Sequence, residues 1–88
     1  MVGRKRHKSM KRVWSWREVL KAFLKVCYRV ANQKGSHITI IPKCVSAHDR
    51  TLPVIIPKHN KIKRGTFNSI LARGNISKIE FIDLANDP

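Results

Sequence analysis

The strongest constraint on the fold is a change in the spacing of apolar residues near position 28. Before it, apolar side chains recur every three or four residues, which is the spacing of one helical face. The members of this stripe are Trp16, Val19, Leu20, Phe23, Leu24 and Cys27. From Tyr28 onward apolar residues alternate with polar ones, which is typical of a strand with one buried face. The spacing predicts a helix from about Trp16 to Val26, followed by strands.

The start of the first helix carries its own signal. Ser15 and Glu18 have the S-x-x-E spacing of a capping box, in which each side chain bonds the backbone N–H of the other residue. Trp14 and Val19 occupy the flanking apolar positions of a hydrophobic staple. These residues predict that the helix begins directly after Ser15.

The predicted strands are three in number, and their apolar positions favour one antiparallel register. Lys34-Gly35-Ser36 is predicted as a three-residue hairpin loop, and the later strands are expected over His37–Pro42 and Leu52–Pro57. A slip of one residue would move the apolar side chains of a strand to its polar face, so the register is well specified. It pairs Ile40 with Val54, Ile38 with Ile56, Thr39 with Ile55 and, across the hairpin, Val30 with Ile40.

Two short helices are predicted to close the chain. The first begins near Gly65-Thr66 and ends at Gly74, which is expected to be its C′ residue. The second has the capping-box spacing at Ser77 and Glu80. The apolar residues expected to face the core are Phe67, Ile70 and Leu71 in the first helix and Ile79, Ile82 and Leu84 in the second. The order α-β-β-β-α with an appended helix predicts an α+β fold, with the helices on one face of a three-stranded antiparallel sheet.

Charge narrows the classes of partner. The 88 residues carry a net charge of +14 with a pI near 10.8, which favours a polyanion and most often nucleic acid. The five carboxylates are scattered, so the convergent sets that bind Mg²⁺ or hydrolyse glycosides are not expected. Cys27 and Cys44 lack CxxC spacing and suggest neither a zinc site nor a disulfide scaffold. We therefore expect no metal and no small-molecule cofactor.

The domain organisation is expected to be simple. One domain is predicted over residues 14–88, preceded by a basic tail over residues 1–13 that has too few apolar residues to fold alone. No apolar stretch has the length of the central region of a signal peptide or of a membrane-spanning helix. We therefore expect a cytoplasmic protein without a membrane partner.

His37 is the residue best suited to chemistry. The alternation places it on the solvent face, at the start of the second strand. The antiparallel third strand ends at the same edge, which should bring Lys58 and His59 towards the Gly35 loop. The N-terminus of the helix at Gly65-Thr66 follows within six residues of His59 and adds backbone N–H groups.

This edge has the groups needed to cut RNA without a metal. A base removes the proton of a ribose 2′-OH, the oxygen attacks the adjacent phosphorus, and an acid protonates the departing 5′-oxygen. Imidazole suits both transfers because its unperturbed pKa lies near neutral pH, and such assistance typically contributes about 10²–10⁴ in rate. The residues expected to bind RNA beside the two histidines are Lys34, Gly35, Ser36, Lys58, Lys61, Lys63, Arg64, Gly65 and Thr66.

Several short motifs follow one another in a characteristic order. They are G-S-H at Gly35–His37, V-I-I-P-K-H at Val54–His59, G-T-F-N-S-I-L at Gly65–Leu71 and N-I-S at Asn75–Ser77. In this order and spacing the chain resembles the HicA toxin family, over roughly Ser15 to Leu84.

The resemblance implies a double-stranded-RNA-binding-like fold and a ribonuclease that cleaves mRNA independently of the ribosome. It assigns the catalytic role to His37 and offers His59 as a second candidate. It also implies neutralisation by a HicB-type antitoxin. Cys27 occupies a place where glycine commonly follows the first helix in the family, so that link is expected to be tighter or differently bent.

Two other functions are open at this point. A non-catalytic RNA-binding module of the double-stranded-RNA-binding type would have a similar order of elements and would use Lys and Arg to contact A-form backbone. A protein-interaction domain for an acidic partner would share the basic surface. Cleavage assays on His37→Ala distinguish the first function from catalysis, and the salt dependence of RNA binding tests the second.

Overall fold

The computed structural model describes residues 13–43 and 52–86 of the chain. Its elements are, in order, α1 (Trp16–Leu24), β1 (Tyr28–Lys34), β2 (His37–Pro42), β3 (Val54–Pro57), α2 (Arg64–Arg73) and α3 (Lys78–Asn86). β2 lies between β1 and β3 in an antiparallel sheet. This order confirms the α+β fold that the sequence predicts. Among the described residues, no helix combines the length and the apolar character that crossing a bilayer requires.

The sheet has the register that the apolar pattern predicts. The observed pairs are Ile38 with Ile56, Thr39 with Ile55, Ile40 with Val54 and Val30 with Ile40. The side of β2 and β3 that carries Ile38 and Ile40 is fully buried in the core. α1 packs against β1, β3 and α3, and α2 packs beside β3. The opposite side, which carries His37 and Ile55, is open to solvent.

β1 contains a bulge that the sequence does not predict. Val30 lies opposite Ile40, but Asn32 lies opposite Thr39, so Ala31 is an extra residue in the strand. A bulge bends its strand and increases the local twist. Here it lies between the core half of β1 and the half that leads to the hairpin turn.

α1 begins at the predicted residue and ends earlier than expected. The hydroxyl of Ser15 accepts the N–H of Glu18 at 3.3 Å, and the N–H of Ser15 donates to the Glu18 carboxylate at 2.9 Å, which confirms the capping box. The helix ends at Leu24 rather than Val26. Cys27 has a φ of 66°, a left-handed conformation that bends the chain directly into β1. The bend expected at this link is therefore present.

Replacing Ser15 by alanine tests the contribution of this cap. We expect Ser15→Ala to lower the free energy of unfolding by about 0.5–2 kcal/mol, because the N–H of Glu18 loses its acceptor. Urea denaturation followed by circular dichroism measures the change. Ser69→Ala, at an exposed position of α2, is the matched control and should cost nothing. Equal stability of Ser15→Ala and the unchanged protein would contradict the role assigned to the cap.

Trp14 lies in the core and is not only a flanking residue of α1. Its ring stacks on Phe67 with the ring centroids 6.4 Å apart and meets Phe81 edge-on at 4.8 Å. Its carbonyl accepts the N–H of Ile62 at 2.9 Å in an isolated antiparallel bridge. The segment before α1 is therefore joined by backbone and side chain to the segment that leads into α2.

The end of α2 differs from the expected glycine cap. Gly74 has a right-handed conformation with a φ of −83°, and Asn75 takes the left-handed conformation with a φ of 55°. Gly74 is buried, and a Cβ at this position would lie 2.6 Å from Cζ of Phe23 and closer still to Cε1. Glycine is therefore required at position 74 by the closeness of the Phe23 ring and not by the backbone conformation.

α3 packs against the core, but one of the three residues expected to face it does not. Its cap is confirmed, because the Ser77 hydroxyl accepts the N–H of Glu80 at 3.0 Å. Phe81 is fully buried, whereas Ile79 is 76% exposed, so the expectation for Ile79 is wrong. Two residues along a helix correspond to a rotation of about 200°, which turns Ile79 away from the face that Phe81 buries. The other two residues expected to face the core, Ile82 and Leu84, are partly buried.

Cys27 is disulfide-bonded, which the absence of a CxxC motif did not predict. The β1–β2 hairpin explains the difference, because Tyr28 pairs with Pro42 and the N–H of Lys43 donates to the Cys27 carbonyl at 2.7 Å. Antiparallel pairing thus brings Lys43 next to Cys27, although the two are sixteen residues apart in the sequence. Cys44, the second cysteine of the chain, lies outside the described residues, as do residues 1–12 of the expected basic tail.

Candidate active site

The turn between β1 and β2 presents His37 to solvent. Lys34 pairs with His37, so the turn consists of Gly35 and Ser36 and is one residue shorter than expected. Gly35 has a φ of 60° at the first of the two turn positions, which is typical of the II′ turn. His37 is exposed, and across the sheet it pairs with Pro57 of β3.

Ser36 connects this turn with the end of β3. Its hydroxyl oxygen lies 3.4 Å from Nδ1 of His37, and its carbonyl accepts the N–H of Lys58 at 2.7 Å. The backbone hydrogen bond holds the residue after β3 against the turn. The side-chain contact is made at Nδ1 of the imidazole.

The backbone of His59 is held from two sides. Its N–H donates to the carbonyl of Pro57 at 2.8 Å, and its carbonyl accepts the N–H of Trp16, the first residue of α1, at 3.0 Å. The first N–H groups of a helix have no partner within the helix, so this contact satisfies one of them. The loop between β3 and α2 is therefore attached to the start of α1, while the imidazole of His59 is exposed.

These segments meet at a cavity of about 450 Å³, here called the histidine cavity. Its lining consists of His37, His59, Lys63, Thr66, Ile55 and Pro57. The polar members come from three different parts of the fold, namely β2, the loop after β3 and the first turn of α2, and all four are exposed. The cavity thus combines two imidazoles, an ammonium group and a hydroxyl at a site that solvent can reach.

The start of α2 adds a further feature suited to an anion. Lys63 is the N-cap residue and makes no capping hydrogen bond with its side chain, and the first turn contains no acidic residue. Thr66 lies in this turn and lines the histidine cavity. The N-terminus of a helix attracts negative charge through its free N–H groups and its dipole. Among residues 13–43 and 52–86, no group of three or more His, Cys, Asp or Glu side chains is arranged to hold a metal ion.

The other residues expected to bind RNA do not line the histidine cavity. They are Lys34, Gly35, Ser36, Lys58, Lys61, Arg64 and Gly65. The ammonium of Lys58 lies 5.3 Å from the centroid of a Trp16 ring, in a cation–π contact. Arg64 lines a separate cavity on α2 together with Asn68. The expected cations therefore spread over more than one part of the surface.

Sequence reasoning missed the apolar part of the lining. Ile55 and Pro57 were not among the expected site residues, although the predicted register already placed both on the face of His37. Strand pairing was the signal that could have identified these two residues. Side chains of paired residues point to the same face of a sheet, so the pairing partners of a site residue are candidates for the same site.

Comparison with known proteins gives one clear result. A family model described as the HicA toxin of bacterial toxin–antitoxin systems matches residues 16–76 of the chain. A search of curated proteins finds no significant match. The matched range includes β1, β2, β3 and α2, and hence every residue that lines the histidine cavity.

Proposed function

The chain belongs to the HicA toxin family of bacterial toxin–antitoxin systems, and we propose that it is a metal-independent endoribonuclease that cleaves mRNA. The observation that carries the proposal is the histidine cavity, in which His37 and His59 share a lining with the ammonium of Lys63. Two groups that can transfer protons and one positive charge suit the cleavage of a phosphodiester by the ribose 2′-OH.

In the proposed reaction, His37 is the principal proton-transfer residue and His59 is placed to provide the second transfer. The proton of the 2′-OH passes to one imidazole as the 2′-oxygen bonds to phosphorus. The bond from phosphorus to the 5′-oxygen breaks, and the other imidazole donates a proton to that oxygen. Lys63 and the N–H groups of the first turn of α2 stabilise the charge that develops on the phosphate oxygens. The products are a 2′,3′-cyclic phosphate and a 5′-hydroxyl.

Cleavage in the presence of a chelator tests this function. We expect the purified protein to degrade a single-stranded RNA in excess EDTA and to leave 2′,3′-cyclic phosphate ends. An oligonucleotide with 2′-deoxyribose at the cleaved position should resist, because it lacks the attacking oxygen. Turnover that depends on added Mg²⁺ would contradict the proposal. Binding of duplex RNA without any cleavage would favour the non-catalytic RNA-binding module instead.

A toxin of this kind requires an antitoxin, and we propose a HicB-type protein with an acidic binding surface as the partner. The net charge of +14 supports this choice, because opposite charge accelerates association and disfavours wrong partners. Such an antitoxin would compete with RNA for the same basic surface around the histidine cavity.

A further inference from the structure

A second cavity continues the histidine cavity along the open face of the sheet. It has a volume of about 460 Å³ and lies between β3 and α2, with Thr39, Ser69 and Arg73 in its lining. The two cavities share Ile55 and Thr66. A ligand held in the histidine cavity can therefore extend over Ile55 into this second space, here called the open-face groove.

The floor of the open-face groove is apolar. Ile55 is 57% exposed although it lies in the middle of a β-strand, so its apolar side chain faces solvent beside the proposed catalytic residues. Exposed apolar area next to a polar site is typical of a binding surface. Burial of this side chain by a ligand would remove it from water, which is favourable in proportion to the area covered.

The rim of the groove carries hydrogen-bonding groups. Thr39 provides a hydroxyl on the sheet side, and Thr66 and Ser69 provide hydroxyls on the α2 side. Arg73 lies among the lining residues, and its Nε donates to the carbonyl of Pro53 at 2.8 Å, which holds the guanidinium in place. No carboxylate is among the lining residues, so nothing in the groove repels a polyanion.

We propose that the open-face groove binds the base and ribose of the nucleotide next to the cleaved phosphate; the proposal rests on the ribonuclease function. A phosphate in the histidine cavity has a nucleoside bonded to each side, and the groove is the apolar space contiguous with that cavity. The face of the base covers Ile55, and the hydroxyls of Thr39 and Ser69 contact its edge. An unpaired base is required, because proteins read single-stranded RNA through bases that are free of stacking and pairing.

The test measures RNA affinity in variants of the groove. The probe is a fluorescent single-stranded RNA with 2′-O-methyl ribose at every position, which binds without being cut, and anisotropy gives its Kd. Ile55→Ser removes the apolar floor, and Ser69→Leu fills the groove from the α2 side without removing any contact of the core. Ile79→Ser is the matched control, because Ile79 is an equally apolar and even more exposed residue on α3. Thermal unfolding verifies that each variant is folded.

We expect Ile55→Ser and Ser69→Leu each to raise the Kd about ten-fold, while Ile79→Ser leaves it unchanged. With cleavable RNAs that differ only next to the cut, both groove variants should also reduce the preference among the four bases. An unchanged Kd and an unchanged preference in both groove variants would overturn the proposal and leave the ribonuclease function standing. If the unaltered protein neither binds nor cuts RNA, the ribonuclease function itself is wrong and this inference falls with it.

Discussion

His37→Ala should lower RNA cleavage by about 10²–10⁴-fold or more while leaving the fold intact. The large effect follows because the residue is proposed to move a proton in the step that breaks the phosphodiester. The fold should survive because the side chain is exposed and its backbone pairing with Lys34 and Pro57 does not depend on the imidazole. Initial rates on a labelled single-stranded RNA in EDTA measure the first effect, and thermal unfolding measures the second.

Two further variants make this experiment specific. His37→Gln keeps a polar side chain but has no group that titrates near neutral pH, so it should be as inactive as His37→Ala. Gln33→Ala removes an exposed side chain of β1 outside the histidine cavity and should cleave normally. Cleavage by His37→Ala at the rate of the unaltered protein would show that another residue is the catalyst. His59 would then be the next residue to replace.

Gly74→Ala should lower the free energy of unfolding by about 1–3 kcal/mol, although replacing glycine by alanine at a right-handed backbone position normally stabilises a protein by about 0.4–1 kcal/mol. The sign reverses because the added methyl group overlaps the ring of Phe23, which is itself fully buried. Because Phe23 packs inside the hydrophobic core, its ring cannot turn out into solvent without losing that packing. Urea denaturation with an unchanged m-value measures the loss.

Gly65→Ala is the matched control for this prediction. Gly65 lies in the first turn of α2, at the opposite end from the Gly74 cap, and a Cβ there would meet nothing within 4 Å, so the substitution should stabilise the protein by up to about 1 kcal/mol. Replacing Phe23 by leucine should cost less in the Gly74→Ala background than in the unaltered protein, because the smaller side chain removes the overlap. Equal stability of Gly74→Ala and the unaltered protein would show that the Phe23 ring does not lie against Gly74 in solution.

The register of the sheet was predictable because its core half is amphipathic. A slip of one residue would take Ile38 and Ile40 off the buried face that they share with Val54 and Ile56, and the structure has the register that keeps all four together. The bulge at Ala31 was not predictable for the opposite reason. Every residue from Ala31 to Lys34 is exposed, so no buried face specifies the pairing there, and an extra residue leaves the apolar pattern unchanged.

The candidate site was predictable to the extent that it depends on the order of the strands. Strand order brings His37 and His59 to one edge, and the structure has both in one cavity. The open-face groove was not predictable, because its shape depends on how α2 packs beside β3. The few buried apolar residues of α2 do not specify how far the side of the helix that carries Thr66 and Arg73 extends over the sheet. Gly74 shows the same limit, because its contact with Phe23 joins two helices that are distant in sequence.

The aromatic cluster of Trp14, Phe67 and Phe81 bears on where the folding unit begins and ends. The family match runs from residue 16 to residue 76, so it leaves out two of these three rings. A truncated chain confined to the matched range would open a gap in the hydrophobic interior and would also lose the main-chain bridge from Trp14 to Ile62. The shortest autonomous version of this toxin therefore has to include Trp14 at one end and Phe81 at the other.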